Sequence, residues 1–420
     1  MEMQDTPDTT AASSPGVESI RVEPDLDFIQ RLSEQCGDSF TKCIQCGTCS
    51  AICTLSPDSA PFPRKEMAWA NWGLKERLLN DPDVWLCYQC NDCSTRCPRD
   101  ARPGDLLGAI RQESITQYAT PRFLARWAGQ PQGIPLMLGI PMALLTIALL
   151  LRDPVADALG ISTGITDQII YSYSAFFPHW FLNSFFLILS FLVLLASVTG
   201  AVRFWGALKT GAPASVNTSP VQSIPASIWK VLKKILKHDD FTSCTAAYSR
   251  FWSHSGVFFG FLALSLVSIW VVTARYNPLI TGDFVYPLAF LDPWKILANI
   301  GGLALIGGLF VMILERINNS GKAGAGSYFD WALITTLVAV VATGFITEIL
   351  HYIRLEPHRH LAYFVHLVFV TALILYLPYS KLAHMIYRTI ALIYAEHTGR
   401  SAGVRSKLGP VTEDTERKEE

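Results

Sequence analysis

Eight of the ten cysteines fall in two runs, Cys43-Ile-Gln-Cys46-Gly-Thr-Cys49-Ser-Ala-Ile-Cys53 and Cys87-Tyr-Gln-Cys90-Asn-Asp-Cys93-Ser-Thr-Arg-Cys97-Pro98. Each run has the C-x2-C-x2-C-x3-C spacing that holds [4Fe–4S] clusters. A cubane cluster offers four iron corners, and each takes one soft thiolate. Three closely spaced cysteines wrap one side of the cube, and the fourth must come from further along the chain. In two-cluster ferredoxins the last cysteine of each run ligates the other cluster. That rule predicts Cys43, Cys46, Cys49 and Cys97 around one cluster, and Cys87, Cys90, Cys93 and Cys53 around the second. Thr54 stands where the bacterial pattern has proline after the first run, while Pro98 keeps it after the second. Cys36 and Cys244 are left over and read as small buried hydrophobes.

Zinc ribbons use paired C-x2-C motifs, not four cysteines at this spacing. Disulfides need an oxidising compartment, and residues 1–20 are too polar for a secretory signal. The chemistry expected is therefore single-electron transfer.

The elements that position it divide by composition. The 420 residues are 50% hydrophobic and only 16% charged, with a mean hydropathy of +0.29. Such values suit a soluble head joined to a membrane part. A net charge of −1 gives nucleic-acid binding no electrostatic support. Residues 1–23 read as a disordered polar tail, residues 24–120 as a two-cluster iron–sulfur domain, 121–400 as the membrane domain and 401–420 as a polar tail. Between the clusters, Arg64 to Leu79 reads as a helix stopped by Asp81-Pro82. Pro103-Gly104-Asp105 starts another, through about Tyr118. The fold class expected is all-α: a helical ferredoxin-type domain followed by a six-span transmembrane bundle.

Six apolar segments, 134–151, 181–202, 255–274, 294–314, 330–350 and 361–380, approach the roughly 20 residues that cross a bilayer. Pro135 and Pro141 interrupt the first, so five spans is the fallback. Lys and Arg set the orientation. Arg203, Lys209, Lys230, Lys233, Lys234, Lys237 and Arg250 fill the loop between the second and third segments, and Lys381, Arg388, Arg400, Arg405 and Lys407 follow the sixth. Asp153, Asp157, Asp167, Asp283 and Asp292 lie in the opposite loops. The cluster domain, that long loop and the tail are thus expected on the cytoplasmic side of a bacterial or archaeal inner membrane. Ile228, Trp229, Val231, Leu232, Ile235 and Leu236, interleaved with four lysines, read as a helix lying on membrane lipid; a solvated helix packed on the cluster domain is the alternative.

Ionisable residues inside spans default to function, and histidine is a standard axial ligand of haem iron. His366 and His384 are spaced as five turns of one final helix, which puts them on one face about 27 Å apart. Two stacked haems b would need that arrangement. His254 opens the third span, with Gly256 and Gly260 after it, and pairs with His384 for a first haem. Glycine would let a flat macrocycle approach the backbone. For His366 the partner is His351 or His179, with His351 favoured because its helix joins the sixth through a short loop. His358, His360 and His397 read as interfacial positions.

The first run and the second, with its Cys87-Tyr-Gln-Cys90-Asn-Asp-Cys93-Ser-Thr-Arg-Cys97-Pro98, resemble the C-type iron–sulfur component of heterodisulfide reductase. The remainder, with His254, His366 and His384, resembles the haem b membrane component of respiratory nitrate reductase. Leu264 stands where that component has a second histidine ten residues after the first. A chain joining both resembles the C-type membrane component of the quinone-interacting membrane-bound oxidoreductase of sulfate reducers. This resemblance covers about residues 24–400. It implies two haems b, menaquinone as substrate, and two cytoplasmic flavin/iron–sulfur partners resembling the A-type flavoprotein of heterodisulfide reductase. It also implies exchange with adenylylsulfate reductase. Glu348, His351 and His358 are then candidate acceptors of quinol protons, with an ion pair to Arg354 as the equal alternative for Glu348. A heterodisulfide- or sulfite-reducing complex, and a membrane-tethered redox sensor or anchor without quinone turnover, are the competing expectations. A transporter is disfavoured because no matching pair of broken spans is present.

Overall fold

A computed structural model of the chain describes residues 23–57, 60–161, 173, 176–211, 220–238, 247–276, 288–318, 324, 326–355 and 358–400. Cys244 and nearly all of both expected tails lie outside them. Among the described residues the regular elements are helical, with no strand.

The head comprises α1 (Leu26–Cys36), α2 (Thr48–Ile52), α3 (Arg64–Asn71), α4 (Lys75–Leu79), α5 (Asp83–Leu86), α6 (Asp92–Thr95), α7 (Pro103–Tyr118) and α8 (Arg122–Ala128). The Asp25 carboxylate accepts from the Phe28 N–H at 2.8 Å and starts α1, which buries Phe28 and Leu32. The single helix expected over Arg64–Leu79 is two. Gly73 breaks it at φ +64°, and a Cβ there would sit 2.9 Å from the Asp25 nitrogen. Only glycine fits that turn. Helix α7 starts at Pro103, as its start signal predicts.

The membrane half continues with α9 (Ile134–Leu159), α10 (His179–Thr210), α11 (Ile224–Lys237), α12 (Ala247–Tyr276), α13 (Pro293–Asn318), α14 (Tyr328–Ile353), α15 (His358–Leu375) and α16 (His384–His397). Six helices are long and apolar enough to cross a membrane, over 131–159, 179–210, 250–276, 293–318, 328–353 and 358–375. Large apolar side chains stay exposed on them, as Ile188, Phe191 and Val202 do on α10. Lipid is the environment that suits such a surface.

Three expectations need correction. Pro135 and Pro141 do not interrupt the first span: Pro135 lies in the first turn, where its missing N–H costs nothing, and α9 runs through Pro141. The last segment is not one helix to His384. Helix α15 ends at Leu375, Pro378 lies in the turn that follows, and a 3-10 turn over Lys381–Ala383 precedes α16. His366 and His384 are therefore on different helices, and the shared-face argument does not hold. Gly256 and Gly260, finally, are turned to α13. A Cβ on Gly260 would lie 2.5 Å from the Gly301 oxygen, and one on Gly256 would lie 2.9 Å from the Ala304 oxygen. These glycines bring two helix backbones together, not a macrocycle. Gly260→Val should cost about 1–3 kcal/mol by overpacking and lower the melting temperature in detergent; an unchanged transition would show that α12 and α13 do not meet there.

The hydrophobic core crosses the boundary expected at residue 120. Trp85 of the head stacks on Tyr387 of α16 at 5.7 Å and meets Phe204 of α10 edge-on at 6.1 Å. Tyr118, Ala391 and Leu392 belong to the same core. On this side, Arg250 of α12 donates to the Gln89 carbonyl at 2.8 Å. At the far end of the bundle, Asn183 donates to the Tyr276 hydroxyl at 3.3 Å, and Trp270 stacks on Trp294 at 4.7 Å.

A buried ion cluster ties the chain's last described residue to the head. Lys65 lies 2.5 Å from both Asp81 and Asp83 and 3.3 Å from Glu66. Arg400 donates to both oxygens of Asp83, at 2.6 and 2.5 Å. Glu66 and Asp83 are fully buried. Burial raises the Glu66 pKa, with Asp81 and Asp83 adding and Lys65 opposing. With Glu66 protonated, two carboxylates face two cations and the charges balance.

Candidate functional site

The two cysteine runs fold alike. In the first, Gln45 and Gly47 adopt positive φ (58° and 84°); in the second, Gln89 and Asn91 do (53° and 65°). These pairs occupy the same places around the second cysteine of each run. The left-handed turns bend the backbone around a centre and aim N–H groups inward, as in anion-binding nests. Each loop then enters a short helix, α2 carrying Cys49 and α6 carrying Cys93. Donors already point at sulfur: Gln89 N–H to Cys87 Sγ at 3.2 Å, Ala101 N–H to Cys97 Sγ at 3.3 Å, and the Gln45 amide to Cys43 Sγ at 3.3 Å.

The runs interlock. Cys43, Cys46, Cys49 and Cys97 line one cavity, with Arg64, Met67 and Arg99 in its wall. Cys53 leaves its own run and lies within electrostatic reach of Cys87 and Cys90, and Cys93 feels Cys87, Cys90 and Cys53 most, with Cys49 of the other set after them. Burial, with neighbouring thiolates adding, raises Cys49 to about 11 and Cys53 to about 12, and pushes Cys93 up further. Free thiols so placed stay protonated, whereas a coordinating metal deprotonates them. The donor set fits iron–sulfur cubanes. Cys46 alone among the eight is exposed. Cys36 donates to the Leu32 carbonyl at 3.1 Å, and burial first, then Asp105 and Asp38, raises it to about 12; it packs in a helix and is placed as a structural thiol.

Three arginines, two of them visible in the sequence only as orienting loop charges, brace the Cys87 loop. Arg111 of α7 and Arg388 of α16 both donate to the Cys87 carbonyl at 3.1 Å, and Arg250 holds Gln89. Arg388 also covers the Tyr88 ring at 3.7 Å. It sits one helical turn after His384, whose Nδ1 contacts the Lys381 carbonyl at 2.6 Å. Burial, despite that contact, holds His384 down at about 4. A neutral ring whose Nδ1 donates to a carbonyl leaves Nε2 as a metal donor. His254 lies near His384, and its Nδ1 is 3.2 Å from Nε2 of His238. No signal in the sequence marked His238, because its importance arises only where α11 ends beside α12.

His366 contacts the Thr343 hydroxyl through Nδ1 at 3.1 Å, and a Cβ on Gly344 would come within 3.2 Å of its ring. His351 is two turns further along α14, about 12 Å at 1.5 Å per residue, with its ring 5.8 Å from Tyr173. That offset along one helix separates His351 from the Thr343 level at which His366 is held. His179 begins α10 beside Arg275. Glu348 is bound by Lys295 at 3.0 Å and Asn299 at 3.2 Å, in place of the expected Arg354, which caps α14 instead. His358, exposed, opens α15. Glu348 and His351 thus lie within reach of one another toward the end of the bundle away from the head.

A two-cluster helical head seated on six apolar helices defines a membrane-anchored iron–sulfur electron carrier. A 4Fe-4S dicluster domain model matches residues 39–101 and supports two [4Fe–4S] clusters. The citrate utilization protein B model matches residues 131–404, and the chain belongs to that family. It is 25% identical to citrate utilization protein B of Escherichia coli over 413 residues, covering 92% of this chain and 96% of that protein. The head is 34% identical over 90 residues to the C-type component of the H(2):CoB-CoM heterodisulfide,ferredoxin reductase of Methanothermobacter marburgensis, 21% of this chain and 49% of that protein. It is 37% identical over 78 residues to a protein of Archaeoglobus profundus that is itself like the C-type component of heterodisulfide reductase, 18% and 42%. The chain spans about half the length, or less, of these heterodisulfide reductase relatives. No solved structure matches it.

Proposed function

We propose that the chain is the electron-transfer subunit of a membrane-bound quinone oxidoreductase, exchanging electrons between a menaquinone pool and a soluble flavin/iron–sulfur partner. One observation carries this reading: His384 and Arg388 are a single turn apart, and Arg388 grips the carbonyl of Cys87. A buried imidazole fit for iron is thereby linked to the cysteine loop through one turn of helix. Cys43, Cys46, Cys49 and Cys97 hold one cluster, and Cys53, Cys87, Cys90 and Cys93 the other. His254 and His384 hold a haem b near the head. His366, oriented by Thr343, is one ligand of a second. Haem b held there supplies a one-electron iron couple between a two-electron quinol and the clusters.

At the far end, Lys295 and Asn299 keep Glu348 oriented toward the region of His351, where a quinol proton can be taken up. The basic loops favour the head on the cytoplasmic side of a bacterial or archaeal inner membrane. The full-length relative is named for citrate utilization, which favours a partner that handles a carboxylic acid over adenylylsulfate reductase.

His384→Ala tests the reading. The purified variant should lose the head-side b-type band in reduced-minus-oxidised spectra while keeping both cluster signals, and menaquinol should no longer reduce the clusters. A wild-type protein without any b-type band would defeat the proposal.

A further inference from the structure

We propose that the cavity where the head meets the first and fifth spans is a binding site for one anionic phospholipid, with the lipid phosphate on Arg122 and Arg126 and its acyl end against Phe123 and Trp127. The cavity measures about 730 Å³, inside the roughly 300–1,000 Å³ of ligand pockets. Helices α1, α7 and α8 wall it on the head side, and Pro131 and Tyr328 close the other side. Those two residues are the first of the spans over 131–159 and 328–353. The hydrocarbon layer begins at that level, and lipid headgroups fill the few ångströms outside it. The cavity therefore lies where a phospholipid carries its charge.

The charges in its wall are not balanced from within. Arg31 is held by Glu113 at 3.1 Å and Lys75 by Asp25 at 3.5 Å, while Glu34 takes the Gln30 amide at 3.0 Å. Arg122 and Arg126 form no ion pair among the described residues. They stand four apart on α8, so both leave one face of that helix, and both line the cavity. Guanidinium groups bind phosphate oxygens through paired N–H donors. The next face of α8 is apolar. Phe123 and Trp127, also four apart, are exposed and pack edge-on at 5.3 Å, while the buried Ala125 and Ala128 fasten the helix to the protein. Amphipathic rings at the mouth of a span favour the boundary between headgroup and acyl chain. A soluble anion would use the arginines and gain nothing from the rings, so a lipid fits the whole site. No haem or quinone enters the assignment, and it stands apart from the function proposed above.

The test is native mass spectrometry of purified, delipidated full-length protein in neutral detergent, titrated with dioleoyl phosphatidylglycerol or dioleoyl phosphatidylcholine. Wild type should hold one phosphatidylglycerol more tightly than any phosphatidylcholine. Arg122→Gln/Arg126→Gln should weaken that first binding about 30-fold, the loss of two cations at a membrane surface. Lys233→Gln/Lys237→Gln, which removes the same charge from α11, should leave it unmoved. Equal retention of the two lipids by wild type overturns the site, and this arm decides even where a variant fails to fold. Unchanged binding by a folded Arg122→Gln/Arg126→Gln protein, or equal weakening by the α11 variant, overturns it too. Displacement of the lipid by excess inorganic phosphate would make the cavity a site for small anions, and that also defeats the proposal.

Discussion

Cys53→Ser should halve the iron and acid-labile sulfide of the protein, and the cluster it removes is the one built on the second run. Sequence proximity would predict damage at Cys43–Cys49. The folded chain predicts otherwise, because α2 carries Cys53 out of its own loop toward Cys87, Cys90 and Cys93. Its mirror variant, Cys97→Ser, should strip the cavity lined by Cys43, Cys46 and Cys49. The two clusters are separable because one edge differs: Cys46 is exposed, while Cys87 and Cys93 are buried. An anionic surface oxidant will therefore bleach the survivor of Cys53→Ser faster than the survivor of Cys97→Ser. If Cys53→Ser spares the cluster on Cys87, Cys90 and Cys93, the interlocked arrangement is wrong.

Lys65→Met should be the most damaging change away from any cofactor. Methionine keeps the apolar stem but leaves Asp81 and Asp83 buried with one cation between them. Breaking such a set costs about 3–5 kcal/mol, read as a lower urea midpoint for loss of the cluster absorbance. Glu66→Gln serves as the contrast. The Glu66 pKa is raised above 4.5 in the fold, by burial first. Folded protein therefore keeps a proton that the unfolded chain releases above the ordinary carboxylate range. Wild-type stability should fall as pH rises from that range through the raised pKa. Glu66→Gln should be well tolerated and should flatten that part of the profile. A Lys65→Met protein as stable as wild type would mean that the ion cluster contributes nothing.

The cysteine spacing and the six apolar segments were legible because each depends on local pattern alone. The start of α7 at Pro103 was legible for the same reason. What pattern could not supply were tertiary decisions. Apolar periodicity runs through Leu375 toward His384, yet Pro378 and the 3-10 turn end it, and so His366 and His384 part company. Gly256 and Gly260 look alike whether they face a porphyrin or a helix; only the neighbouring Gly301 and Ala304 decide. For Glu348 the nearest cation along the chain is Arg354, six residues on, yet the fold supplies Lys295 from a neighbouring helix. Arg250 and Arg388 read as orienting loop charges, and nothing local marks Arg111 of α7, until one loop collects all three.

Arg400 in its acidic pocket and Trp85 against Tyr387 also bear on how traffic reaches the metal centres. Some redox proteins ferry electrons by swinging a tethered module between two docking stations. Here the module is tied to the helices that carry it at several points among the described residues, an arrangement that suits a fixed head better than a swinging one. On the proposed function, delivery and collection would then depend on diffusion of the soluble partner to the exposed Cys46 edge. Turnover should scale with that partner's concentration and be indifferent to solvent viscosity once the complex has formed.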